Sequence, residues 1–382
     1  MKRLMVMIAV IGLFLFGQAA RADWGPVKRL TWNSGLSGWA SLAADASGNV
    51  HLVWTDNSPG NFDVYYKRSS DGGSNWGPGQ NLSSNAGDSG WTAVAVDSSG
   101  NLHVLWEDST PGNWDIFYVN TTDGGASWST PQNLSSNAGD SHGVSVAADS
   151  SGKIHMAWHD NTSGNYEIYY RMSSDGGGSW TIRKRLTWNA GDSGSPDIAV
   201  DSSGALHLVW QDSTPGNQEI FYRKSEDAGA NWIPAKRLCW NSGTSYYASL
   251  AVDPLGNVHA VWHDSTPGDR QLFYKRSTDG GDSWVPVQRL TWTTGWSYDP
   301  VIASDSSGQI HLAWDFQGTP SEIFYKASTD GGATWSARLR LSWTTFNPWS
   351  PDIAVDSSDN LHAAWHDDSP GNYEIYYKKF VK

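Results

Sequence analysis

Seven tryptophans close seven copies of one short phrase: Trp54, Trp106, Trp158, Trp210, Trp262, Trp314 and Trp365, spaced 52 residues apart five times and then 51. Asn101-Leu102-His103-Val104-Leu105-Trp106 and Asn257-Val258-His259-Ala260-Val261-Trp262 are typical of the phrase. A fixed period of this length, filled with short β-type runs and glycine-rich turns, restricts the chain to a propeller or a solenoid.

Each repeat reads as four strands. In the unit beginning at Ser195, Pro196 to Val200 is a strand of small residues, Leu206 to Gln211 a second, Glu219 to Lys224 a third and Trp232 to Leu238 a fourth. Clusters of Asp, Ser, Gly, Pro and Asn separate them, as turns require. Four strands per unit is the blade of a propeller. The first strand is small and apolar, which suits a crowded channel wall. The fourth carries Lys28-Arg29, Lys184-Arg185 and Lys236-Arg237, which suits a solvated rim that resists edge pairing. The chain stops after the third strand of its last unit, while Asp23 to Leu30 matches the fourth strand at Asn231 to Leu238. Pairing these ends predicts an all-β, seven-bladed β-propeller of four-stranded antiparallel blades, its ring closed by the N-terminal strand joining the last blade. Residues 23–382 form one such domain.

Residues 1–22 read as a cleaved secretory signal peptide: Lys2 and Arg3, an apolar core from Leu4 to Phe16, then Ala20-Arg21-Ala22. The expectation is an exported protein, secreted or periplasmic and monomeric, with no further stretch of membrane length. Losing Lys2, Arg3 and Arg21 takes the formal net charge from −13 to −16, which disfavours nucleic acid as a partner. Cys239 is the only cysteine, so no internal disulfide forms, and it stands where other repeats carry Thr31, Thr187 and Thr291.

The turn between third and fourth strands repeats a specific phrase. It reads Ser69-Ser70-Asp71-Gly72-Gly73-Ser74-Asn75-Trp76, with counterparts around Asp123, Asp175, Asp279 and Asp330; the copy at Asp227 has Ala228 in the first glycine place. This resembles the Asp-box, or bacterial neuraminidase (BNR) repeat, of the sialidase-like propellers, and the likeness spans residues 23–382. Physically the phrase is a folding element: the carboxylate accepts turn N–H groups, glycine permits φ > 0, and the tryptophan pins the turn. In the family these boxes lie away from the active site, which implies that the opposite face is the working one.

On that opposite face the residues before each first strand vary: Gly38-Trp39, Gly90-Trp91, His142-Gly143, Gly194-Ser195, Tyr246-Tyr247, Tyr298-Asp299 and Trp349-Ser350. So do those after each framework tryptophan: Thr55, Glu107, His159, Gln211, His263, Asp315 and His366. Both sets should ring the channel mouth. Aromatic faces beside polar groups suit sugar rings, so Trp39, Trp91, His142, Tyr246, Tyr247, Tyr298, Trp349, His159, His263 and His366 are the candidate ligand contacts. Packing of loop against loop is the alternative for each. The seven histidines His51, His103, His155, His207, His259, His311 and His362 lie too far apart around a ring to converge on a metal, and read as hydrogen-bonded framework. Asp56 and its counterparts read as turn caps. No metal or cofactor is expected.

The resemblance to sialidases implies three arginines clamping a carboxylate, a Tyr–Glu pair and an acid/base aspartate. Only Arg270 falls in a loop of the working face; the other arginines fall on rim strands or near the Asp-boxes, and the family's Arg-Ile-Pro phrase and six-blade count are absent. Glu107, Asp299 and Asp315 are the eligible carboxylates for glycoside hydrolysis, with Arg270 as the eligible cation. Blade six breaks the pattern at Asp315-Phe316-Gln317, where one residue is missing. Three readings follow: a binding module for extracellular glycans, multivalent through quasi-equivalent pockets; an exo-α-sialidase-type glycoside hydrolase; or a protein-interaction scaffold in the cell envelope.

Overall fold

The computed structural model describes residues 23–343 and 347–382; the leader read at residues 1–22 lies outside them. Seven four-stranded antiparallel sheets form the ring, in sequence order from Ser37 to Val381. In the first blade the strands are Ser37–Ala44, Val50–Asp56, Asp63–Ser69 and Gln80–Asn81. The last blade takes three strands from the C-terminus, Pro348–Val355, Leu361–Asp367 and Glu374–Val381, and its outer edge from the N-terminus. There Asp23 pairs with Val381, Trp24 with Phe380, Lys28 with Tyr377 and Arg29 with Tyr376.

The radial order follows from packing. Second strands are buried throughout, as a strand covered on both faces by neighbouring blades must be. The core is seven interblade clusters, each joining the Trp of one blade to the apolar face of the blade before it; Trp262, Leu250 and Val258 pack on Val209, Ile220 and Tyr222. The outer strand is shorter than expected. Only Lys236–Arg237 of the segment from Trp232 to Leu238 pairs as a strand, with flanking bonds from Ile233 N to Lys224 O and Leu238 N to Ile220 O. Pro234 has no N–H to give the ladder, so the segment peels away at that point. The rim arginines are also less free than a solvated edge suggests: Arg29, Arg185, Arg237 and Arg340 are half-buried and pair with the buried Glu374, Glu167, Glu219 and Glu322.

The Asp-box face is a set of identical struts. His51 bonds Tyr66 Oη at 2.9 Å and Asp45 at 3.4 Å, and the same Asp–His–Tyr relay recurs in every blade. Tyr66 Oη then donates to Gly124 O of the next blade's box at 3.3 Å, and Trp128 of that box meets the Tyr66 ring edge-on at 4.9 Å. Gly125 has φ +90°, and a Cβ there would lie 2.5 Å from Tyr66. The second glycine is therefore fixed twice over, by its backbone and by the neighbour's tyrosine. Ala228 occupies the first glycine place at φ 55°, where no such wall stands, while Gly229 is kept against Tyr170. Cys239 is buried and its sulfur accepts Ile220 N at 3.1 Å, the bond that Thr187 Oγ1 accepts from Ile168 N at 2.8 Å. Burial pushes the Cys239 thiol up to about 12.

Candidate functional site

The other end of every blade carries a β-bulge. Pairing of first and second strands slips between Gly38 and Ser41, and at the corresponding point in each blade. The bulged residue has a left-handed backbone in all seven: Trp39, Trp91, Gly143, Ser195, Tyr247, Asp299 and Ser350, with φ between 42° and 60°. Six of these seven are not glycine. Each non-glycine residue is held there at a cost of about 1 kcal/mol, as is common where a bulge aims a side chain at a site.

Four of the bulges are braced from the blade before. Trp39 N donates to His366 Nδ1 at 3.4 Å, Ser195 N to His159 Nδ1 at 3.3 Å, Tyr247 N to Gln211 Oε1 at 3.1 Å, and Gly143 N to Glu107 Oε1 at 2.5 Å. In these four blades the variable residue after the framework tryptophan thus braces its neighbour's bulge, whereas Thr55 bonds Gly38 O of its own blade and neither ring nitrogen of His263 is hydrogen-bonded. Burial holds His159 and His366 low, at about 3 and about 4, so their Nδ1 stays free to accept. His263 is buried among Tyr246, Tyr247 and Tyr298, its pKa held to about 3 by burial and then by Arg270. His142 is half-buried and bonds Glu107 at 2.7 Å. Burial works against its charge, but the bond to and charge of Glu107 outweigh it and raise the pKa.

Trp39, Trp91, Tyr247, Asp299 and Ser350 line both the throat of the channel, a cavity of about 420 Å³, and an adjoining hollow of about 510 Å³. The hollow adds Arg270, Tyr298, Trp349, His366 and Tyr373. Trp39 and Trp91 stand 6.1 Å apart, 37% and 49% exposed. On the far side Tyr247 is 43% exposed. Gly143 and Ser195 leave the intervening arc of the throat without large side chains. Of the expected contacts, Trp39, Trp91, Tyr247, Tyr298, Trp349 and His366 line one lopsided hollow in place of several quasi-equivalent pockets, while His142, Tyr246, His159 and His263 do not line it.

Charge collects at its floor. The Arg270 guanidinium lies 4.8 Å from the Tyr298 ring and 5.8 Å from Tyr246. Burial pushes the Asp299 carboxyl up, against the pull of Arg270; burial and then the charge of Asp299 push Asp315 well above the usual carboxylate range. Tyr298 and Asp315 are cross-strand partners, which is how the fold unites two carboxylates that no local spacing pairs. Glu107 lies instead with His142 across the ring. Among the described residues, Arg270 is the one arginine lining this hollow.

The irregular blade six opens a third cavity of about 830 Å³ beside the hollow, sharing Tyr298 and Trp349 and adding Trp296 and Phe316. Trp296 is half exposed and escapes the sequence reading, although it too is an aromatic just before a first strand. Deeper in the throat the buried Asp197 accepts Leu250 N at 2.7 Å and Ser145 Oγ at 2.8 Å, and Asp352 accepts Leu42 N at 2.7 Å. These tie first strands of adjacent blades together.

Comparison with known proteins fits this architecture. No curated protein matches the chain in sequence. A protein of unknown function from Dyadobacter fermentans is similar in structure with a TM-score of 0.59 at 15% identity, over 93% of this chain and 99% of that one. The intramolecular trans-sialidase of Ruminococcus gnavus gives 0.54 at 12%, over 92% and 97%, and an α-L-arabinofuranosidase of Fusarium graminearum gives 0.54 at 16%, over 76% and 92%. At such identities the likeness is one of fold. Residues 55–312 match the family model described as a BNR repeat-like domain, and the chain, with its Asp-box turns and sialidase-like propeller, belongs to that family.

Proposed function

We propose that the protein is a glycan-binding propeller that takes a saccharide chain in the lopsided hollow at the mouth of its channel. The observation that carries this reading is the arc of Trp39, Trp91, Tyr247 and Trp349, three of them on strained bulges, lining one cavity with Arg270 and Asp299. Indole and phenol faces stack on the apolar faces of sugar rings, and the polar groups opposite take hydroxyls or a carboxylate. Two of the similar folds carry names of enzymes acting on sialosides or arabinosides, which favours a glycan over a peptide. The leader expected at residues 1–22 supports an encounter outside the cytoplasm.

A glycan array tests it. Binding by the wild-type protein that falls about tenfold or more in Trp91→Ala and Arg270→Ala, with melting unchanged, supports the reading. An array on which the wild type is silent overturns it.

The raised carboxyls of Asp299 and Asp315 favour one second reading, a glycoside hydrolase, because a carboxylic acid kept protonated near neutral pH can serve as general acid. Turnover of a fluorogenic sialoside or arabinofuranoside that is lost in Asp299→Asn, while glycan binding survives, would replace binding alone with catalysis.

A further inference from the structure

Five tryptophans stand at one repeated place on the outer margin of the loop face, three residues after the rim arginine: Trp32, Trp188, Trp240, Trp292 and Trp343. They are the most exposed large aromatics described, at 69%, 64%, 67%, 70% and 69%. Indole surface is rarely left to water so evenly without use. Each has an arginine of its own blade, Arg29, Arg185, Arg237, Arg289 or Arg340, between 4.6 and 5.9 Å from the ring centroid.

The unit is exchanged whole. Where the arginine is replaced by Asn81 or Asn133, the tryptophan is replaced by Ser84 or Ser136, and the rim carboxylate is the shorter Asp63 or Asp115. The serine blades keep the same four-stranded sheet, with Ser84 and Ser136 turned into a left-handed backbone (φ 44° and 42°) that bonds Asn81 and Asn133, so the ring does not need the indoles. Shielding the Arg–Glu pair does not explain them either, since Gln271 stands where the other arginine blades have the glutamate, bonding Thr293 instead, and Arg289 still carries Trp292.

Beside Trp240 a cleft of about 200 Å³ runs between two blades, with Trp262 and Phe273 within it and Asn241, Thr266 and Lys275 at its edge. Lys275 Nζ lies 5.4 Å from the Trp240 ring. Trp262 is fully buried and its Nε1 has no protein acceptor, nor has Asn241 Oδ1 a donor. Trp314 and Trp365, the counterparts in the blades after Trp292 and Trp343, have the same unpartnered Nε1, whereas Trp54 and Trp210 donate theirs to Asp56 and Asp212. Arg237 is committed to Glu219, Lys326 (the counterpart of Lys275 in the next blade) to Leu290 O at 2.8 Å, and Lys275 itself to the face of Trp240. A neutral partner fits such a place better than an anion does.

We infer that these five exposed indoles are peripheral saccharide sites, each stacking one neutral sugar ring, and that together they hold a polysaccharide by avidity. The set is separate from the channel-mouth hollow, and neither needs the other. Five weak sites on one rigid ring bind a repeating ligand far more tightly than any one of them does.

Electrophoresis of the native full-length protein through gels containing a β-glucan, a galactomannan or a xylan tests this. At least one should retard the wild type. Replacing all five tryptophans with serine, the residue this chain itself uses at 84 and 136, should abolish the retardation and weaken apparent affinity by about 100-fold or more. Trp32→Ser and Trp240→Ser singly and together should lessen it in steps, which carries the test should the fivefold variant fail to fold. Glycan-array binding at the hollow should survive in the tryptophan-to-serine variants, so that a failure of this proposal and a failure of the hollow's reading are told apart. Free migration of the wild type in all three gels, or undiminished retardation of the tryptophan variants, overturns the proposal. So does sedimentation as a dimer that the variants break without any polysaccharide effect, which would assign the indoles to a second copy of the chain.

Discussion

The two ends of each blade are built from the same backbone to opposite rules. At the Asp-box end, Asp45, His51, Tyr66 and the next blade's Gly124 form a chain of contacts whose Asp–His–Tyr part repeats almost unchanged around the ring. At the loop end the equivalent places hold Trp39, Gly143, Tyr247 or Asp299, all on left-handed bulges. One end is repeated because it holds neighbours together. The other is free to vary because its bulge is fixed by the backbone and, in four blades, a single bond from the preceding blade, so side chains can change without disturbing the ring. Stability and recognition are divided between ends, and that division can be broken experimentally.

The largest effect should come from acid. Burial holds His51 to about 4 and lowers His103, His155, His207, His311 and His362 as well. They stay neutral in the fold yet take up protons when unfolded below about 6.5, so stability is lost as pH falls from about 7 toward 4. Denaturant melts should show a drop of several kcal/mol between pH 7.5 and 5; a flat profile would mean the struts are not what holds the ring. His142 and the raised carboxyls oppose this trend but are fewer.

Next, Gly125→Ala should cost about 3 kcal/mol because its methyl meets Tyr66. Gly100→Ala, with φ +82° and open space around it, should cost only about 1 kcal/mol. Equal losses would show that the left-handed turn alone matters. His103→Leu should follow at about 2 kcal/mol, leaving Tyr118 and Asp97 without their shared partner. The smallest change should have the opposite sign. Trp91→Gly relieves a left-handed residue at φ 44° and should raise stability by up to about 1 kcal/mol while weakening glycan binding. A loss of stability there would put the funnel residues among the struts and erase the contrast.

The ring was legible in the sequence because its signals are periodic. Blade count, the strand at Asp23 to Leu30 completing the last sheet, and the framework histidines all follow from aligning the chain with itself. The grouping of the loop-face residues was legible in part: Trp39, Trp91, Tyr247, Tyr298, Trp349 and Arg270 line one hollow, and His142, Tyr246, His159 and His263 do not. What escaped depends on pairing across strands. A bulge adds one residue to one strand and is visible only once the partner's register is known. Asp299 and Asp315 approach through the Tyr298–Asp315 pair, not through any local spacing. The Arg–Trp unit on the rim escaped because the tryptophans sit in the strand-linking segments, where repetition looks like loop composition.

The seam that closes the ring has a further consequence. Ile375 N bonds Thr31 Oγ1 across 344 residues of chain, and Leu30 N bonds Ile375 O beside it. Joining such distant points is entropically slow and is achieved only when the very last strand is available. Until that moment six blades present an unfinished edge; afterwards none exists. A repeat array of the open kind can gain or shed units and frays from its tips, whereas this one assembles late, as a whole, and has no tip from which to unravel.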